Sequence, residues 1–183
     1  AVLMAMPAQA RKKPKYEITL TIKNGKDSVM YMGHYLAKGN QVVDTAFVDK
    51  KGRFVFSSAT DTLPYGLYFF ANPKGTYVEF VVYREKPFFS FETDENDWTS
   101  NMKVKNSRQN EFFFQFHVID GQYSKDISQH NYTMDSAAFA EYKYRKLLQL
   151  DSVKMSLIKE HPEMFLSKMM LCSKDEEPPV VSS

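Results

Sequence analysis

The chain has 183 residues, 43 % of them hydrophobic and 25 % charged, and its formal net charge is +2. At about 150 residues per domain this is one domain with a modest extension, large enough to fold without disulfides. A collagenous, disordered or multi-span membrane protein is excluded, and so near-neutral a balance gives no electrostatic ground for nucleic-acid binding.

The chain starts with Ala1-Val-Leu-Met-Ala-Met-Pro-Ala-Gln-Ala10, an apolar run that ends small-x-small before Arg11-Lys12-Lys13. This is the pattern of the end of a secretory signal peptide, so a periplasmic or secreted location is expected; the alternative is a tail that happens to contain alanines. Residues 1–15 are read as this remnant and a basic lead-in. From there, 15 Phe and 11 Tyr against 7 Gly fall in short alternating runs, which favours strands. In Tyr16-Glu-Ile-Thr-Leu-Thr-Ile-Lys23 the apolar residues occupy one parity, as in a half-buried strand. Asn24-Gly25 reverses the chain. Further strands are expected over residues 28–36, 41–49, 53–57, 65–71, 76–84 and 88–92, with a short closing segment over 101–105. Turn chemistry lies between them at Lys38-Gly39-Asn40, Lys50-Lys51-Gly52 and Asn72-Pro-Lys-Gly75. Strands recurring every 8–12 residues or so indicate a sandwich or barrel.

The period then changes. Phe112, Phe116, Ile119, Tyr123 and Ile127 form one helical face from Ser107 onward, although Gly121 costs about 1 kcal/mol of helix propensity. A second helix is expected from about Asp135 to Lys159. It has two adjacent stripes, Ala140, Tyr144, Leu147, Met155, Ile158 and Phe139, Tyr142, Leu150, Val153, Leu157, which predict a broad buried face. Pro162 suits the first position of a third, short helix through Phe165, Met169 and Leu171. Residues 175–183 contain Pro178-Pro179 and read as a linker. The expected class is α+β: an antiparallel β-sandwich of seven or eight strands over residues 16–106, then two or three helices over 107–174.

No motif for catalysis is visible, and no cofactor or metal ligand set is indicated. The four histidines, His34, His117, His130 and His161, show no metalloprotease spacing. His34 and His117 read as packed or surface residues. Asp94, Asn96 and Asp97 offer oxygens but lack the glycine and distal glutamate of a calcium loop, so a solvated acidic loop is expected. Cys172 is the only cysteine, which rules out an internal disulfide or a Cys-x-x-Cys pair, and it reads as an inert buried thiol. Asn131-Tyr-Thr133 matches a glycosylation acceptor, a match that chance also produces. Trp98 reads as a core aromatic or, alternatively, a sugar-stacking platform. Phe112-Phe113-Phe114 cannot all point one way on a helix, so the triplet predicts a surface covered by the sandwich or by another domain. Trp98, Phe112, Phe113 and Phe114 are the candidate interaction surface.

The order of Tyr16-Glu-Ile-Thr-Leu-Thr-Ile-Lys23, Val43-Asp-Thr-Ala-Phe-Val-Asp-Lys-Lys-Gly-Arg-Phe-Val-Phe56, Tyr65-Gly-Leu-Tyr-Phe69, Phe88-Phe-Ser-Phe-Glu-Thr93 and Met102-Lys-Val-Lys-Asn-Ser107 resembles a particular N-terminal module. That module occurs in secreted thiol–disulfide oxidoreductases of the thioredoxin-like and peroxiredoxin-like family typical of Bacteroidetes. The stretch His161-Pro-Glu-Met-Phe-Leu-Ser-Lys168 resembles the segment preceding their catalytic domain. The resemblance implies a non-catalytic accessory module whose partner is a C-terminal thioredoxin-fold domain in cis, absent from this chain, with a homodimer as a further expectation. The alternatives are a free-standing secreted cell-envelope protein that binds peptide or glycan, and an enzyme whose site converges only in the fold from residues such as His34, Asp44 and Glu79.

Overall fold

The computed structural model describes residues 12–174; the signal-like start and the terminal linker lie outside the described residues. The strands are β1 (Tyr16–Lys23), β2 (Val29–Leu36), β3 (Gly39–Phe47), β4 (Arg53–Ser58), β5 (Gly66–Ala71), β6 (Tyr77–Val82), β7 (Phe88–Asp94) and β8 (Lys103–Lys105). The helices are α1 (Arg108–His130), α2 (Ser136–Glu160) and α3 (Phe165–Lys174). Two four-stranded sheets form, sheet A in the order β4-β1-β7-β8 and sheet B in the order β3-β2-β5-β6. The fold is α+β, as the alternating first half and helical second half imply.

The inward parity of each strand builds the core. Ile18, Leu20, Phe54, Phe56, Phe89 and Phe91 come from sheet A, and Met30, Met32, Tyr68, Phe70, Val78 and Phe80 from sheet B, all buried. Rings meet across the gap: Phe56 on Phe70 at 5.3 Å, Phe91 on Phe70 at 5.5 Å and Phe91 on Phe80 at 5.3 Å between centroids. Each such ring contributes about 1.5–3 kcal/mol by burial, and aromatic pairing adds about 0.5–1.5 kcal/mol. The Tyr16 hydroxyl also crosses the gap, donating to Asp44 Oδ2 at 3.0 Å.

Two local expectations change in three dimensions. The reversals at Asn24-Gly25 and Lys50-Lys51-Gly52 are present, but each carries the chain from one sheet to the other rather than closing a hairpin within one. Asp49 holds the second by accepting the backbone N–H groups of Lys51 and Arg53 and the Arg53 guanidinium, and these contacts lower its pKa to about 2. The sandwich is also not wholly antiparallel. β1 and β7 pair in parallel, Glu17 beside Phe88 through Lys23 beside Asp94, because the chain returns to sheet A only after passing through β5 and β6 of sheet B.

Helix α1 closes one open side of the sandwich, where edge strands β6 and β8 leave a gap. Asn110, fully buried, accepts from Val81 N–H at 2.7 Å and donates to Val81 C=O at 2.8 Å, so an amide side chain completes the ladder of edge strand β6. Ser107 caps the helix by accepting from Asn110 N–H at 3.1 Å. Glu85 joins it, accepting from the Ser107 hydroxyl at 2.7 Å and from Gln109 N–H at 3.0 Å, a carboxylate at the positive end of the helix.

The rest of the helical half departs from expectation. The broad buried face of α2 is absent: Tyr144, Leu147 and Leu148 are exposed, and only Leu150 and Ile158 are buried. α2 is held to α1 by Tyr142 and Lys146 on Asp126 and by Lys154 on Asp120, while Ala140, Tyr144 and Leu147 in the first half of the other stripe face out. Pro162 sits in a turn, and α3 begins at Phe165. The start of α3 is set from a distance: Phe165 N–H donates to Gln109 Oε1 at 2.9 Å, a partner 56 residues away.

Candidate functional site

The outward faces of the two sheets differ in chemistry. Sheet A presents Glu17, Thr19, Thr21, Arg53, Ser90, Glu92, Lys103 and Lys105 around a shallow hollow of about 380 Å³. Several of its charges are paired: Lys23 and Lys103 both with Glu92, at 2.9 and 3.9 Å, and Arg53 with Asp49 at 2.8 Å. Such exposed pairs contribute little stability.

Sheet B presents aromatic and aliphatic residues on its outer parity. Register places Tyr77, Ala71, Tyr31 and Thr45 in one row, and Glu79, Phe69, Gly33 and Val42 in the next. Phe69 lies across Gly33, where an added Cβ would fall 2.0 Å from its Cζ, so glycine is required for the ring to lie flat on the sheet. Tyr35 packs on Phe69 at 5.1 Å. Toward the rim Phe47 is 74 % exposed, Tyr77 59 % and Val42 54 %. An apolar area of this kind on an open sheet face is the usual mark of a docking surface.

This face runs into a cleft of about 210 Å³ between β6, α1 and the turn before β8, lined by Tyr77, Val78, Glu79, Thr99, Phe113, Phe114 and His117. Glu79 projects from the outer parity of β6. Burial raises the Tyr35 pKa, helped by a hydrogen bond from its hydroxyl to Glu79. His117 packs on Phe113 with the rings tilted and their centroids 4.4 Å apart. Burial pushes its pKa below the usual value, partly countered by Glu79 and Asp120.

The residues singled out from sequence lie elsewhere than on an open surface. Trp98, Phe112, Phe113 and Phe114 are all buried. The triplet is covered by the chain itself: Phe114 meets Phe91, Phe112 meets His161 and Phe113 meets His117. A helix wedged between two sheet edges is covered over most of its circumference, so consecutive residues can all be buried. As a candidate interaction surface the four are therefore corrected to an internal contact, although Phe113 and Phe114 still form the inner wall of the cleft.

His34, Asp44 and Glu79 are not brought together. His34 points inward and stacks on Tyr68 at 4.3 Å, Asp44 points inward to Tyr16, and Glu79 lies on the opposite face. Asp94 accepts from Asn24 Nδ2 and Asn96 N–H, and Asp97 from Thr99 and Ser100 N–H, so this acidic loop ties its own turns. Cys172 is exposed, not buried. Asn131 is exposed between α1 and α2. Among the described residues no cluster of three His, Cys, Asp or Glu side chains is arranged to hold a metal ion, and no helix is long and apolar enough to cross a membrane. The peptide- or glycan-binding alternative supposes an aromatic sandwich face without saying which, yet sheet B carries a signal for it. In Val29-Met-Tyr-Met-Gly-His-Tyr-Leu36 both parities are largely apolar, whereas in β1 only one is.

Fold and faces together define a β-sandwich sealed by a helix, with one solvated and one aromatic outer face. Its sequence matches the family described as Domain of unknown function (DUF4369) over residues 16–113, and the chain belongs to that family. The match ends inside α1, after Asn110 and Phe112 have entered the sandwich core. No curated protein matches the chain.

Proposed function

We propose that this chain is a non-catalytic interaction module of a periplasmic thiol–disulfide oxidoreductase, and that the outer face of sheet B receives the catalytic thioredoxin-fold domain in cis. The observation that carries the reading is the aromatic face itself, with Phe47, Tyr77 and Val42 more than half exposed and, among the described residues, no helix laid over them. The order of strand motifs in the first half, which resembles the N-terminal module of such enzymes, supplies the partner. A second reading is a free-standing secreted cell-envelope protein that binds peptide or glycan. The exposed Tyr77 ring favours it, because tyrosine stacks on sugars and peptides alike.

The test extends the gene past Ser183. A downstream domain with Cys-x-x-Cys, purified separately, should bind this chain, and Phe47→Ser with Val42→Ser should weaken that binding at least tenfold without changing the fold. A reading frame without such a domain overturns the accessory role and leaves the second reading.

A further inference from the structure

We infer that the cleft between β6, α1 and the turn before β8 takes a primary ammonium or guanidinium group, presented by a lysine or arginine side chain of a partner polypeptide. The inference rests on the reading of sheet B as a docking face and adds the chemistry of one group that docks there. Among the described residues Glu79 is the one acidic residue lining the cleft, and no lysine or arginine lines it. Among the described residues no cation lies within ion-pair distance of Glu79. The nearby Lys154 is engaged by Asp120 and sits over the Phe116 ring at 5.1 Å. His117 does not neutralise the carboxylate, because burial holds it in the uncharged form at neutral pH. What remains is a half-buried carboxylate beside the Tyr77 ring, backed by Phe113 and flanked across the sheet by Phe69.

A carboxylate with aromatic walls attracts a cation twice, through its charge and through the ring faces. It repels phosphate and carboxylate ligands, and it gives a neutral sugar no charge to pair with. The apolar walls suit the methylene stem of lysine or arginine, whose charged head then reaches Glu79. The adjoining aromatic rows of sheet B provide room for the polypeptide that carries the side chain, which is why a polypeptide is the source.

The test is an NMR titration of the full chain with Nα-acetyl-lysine N-methylamide, Nα-acetyl-arginine N-methylamide and the neutral Nα-acetyl-glutamine N-methylamide. Saturable shifts at Tyr77, Thr99, Phe113 and His117 are expected with the two cationic probes only. Glu79→Gln, which keeps shape and the Tyr35 contact, should weaken them at least fivefold. Absence of saturable shifts, equal shifts with the glutamine probe, or unchanged binding in Glu79→Gln overturns the inference. Binding of n-butylammonium as tight as that of the lysine probe overturns a polypeptide as the source. A partner domain whose binding is lost in Phe47→Ser but unchanged in Glu79→Gln overturns this inference and leaves the docking face standing. Loss in Glu79→Gln with no change in Phe47→Ser does the reverse.

Discussion

Sheets A and B share one core but treat water differently. β1 of sheet A reads Tyr-Glu-Ile-Thr-Leu-Thr-Ile-Lys, with one parity buried and the other left to Glu17, Thr19, Thr21 and Lys23. β2 of sheet B carries Met30 and Met32 inward but Tyr31 and Tyr35 outward. A strand needs only one apolar face to join a sandwich. The second apolar face of sheet B is therefore surplus to folding, and that surplus is what separates a candidate binding surface from a solvated wall.

The largest effect should come where the two sheets cannot be told apart. Phe91 touches Phe70, Phe80, Phe89 and Phe114, so Phe91→Ala should cost about 3–5 kcal/mol, read as a lower denaturation midpoint in urea. Both sheets should melt in one transition; a sheet A that melts alone would break the idea of a shared core. Next is the edge that α1 completes. Asn110→Ala removes both bonds to Val81 and strands a buried N–H and C=O, for a loss of about 2–3 kcal/mol. The same substitution at Gln115, exposed on α1, should change stability by less than about 0.5 kcal/mol.

The outer faces give the sharpest contrast. Gly33→Val on sheet B must displace Phe69, and we expect about 1–3 kcal/mol of destabilisation, as for other overpacked sites. Thr21→Val on sheet A should stay within about 0.5 kcal/mol, since its position is an open polar face. Equal costs for the two would mean that Phe69 swings away freely and that the aromatic face is not rigid.

The smallest effect is in pH. Burial lowers the pKa of both His34 and His117, so each binds a proton more readily in the unfolded chain. The stability they lend is fully present above the ordinary histidine value of 6.5 and is lost as pH falls from there through their lowered folded values. The melting temperature should therefore drop between pH 7.5 and 5. His117→Gln should shrink that drop by a few degrees, since about 1 kcal/mol moves the midpoint of a chain this size by about 2–4 °C. A pH profile identical to that of the unaltered protein would mean that His117 is solvated in the cleft.

What the sequence determined by itself is what short-range physics controls. Alternation in residues 16–23, turn chemistry at Asn72-Pro-Lys-Gly75, and the capping residues Ser107 and Asp135 specify strands, reversals and helix starts, because each depends on neighbours a few residues away. The tertiary structure alone decided how those pieces meet. The parallel pairing of β1 with β7 follows from a detour through sheet B, which no local pattern encodes. The burial of Phe112, Phe113 and Phe114 together needs two sheet edges around one helix, and the exposure of Tyr144 and Leu147 reflects which side of α2 packs on α1. The cleft of Glu79 and His117 joins residues 38 positions apart in sequence numbering, at roughly the distance a strand and a helix pack, so its chemistry exists only once the edge of sheet B and α1 have closed on each other.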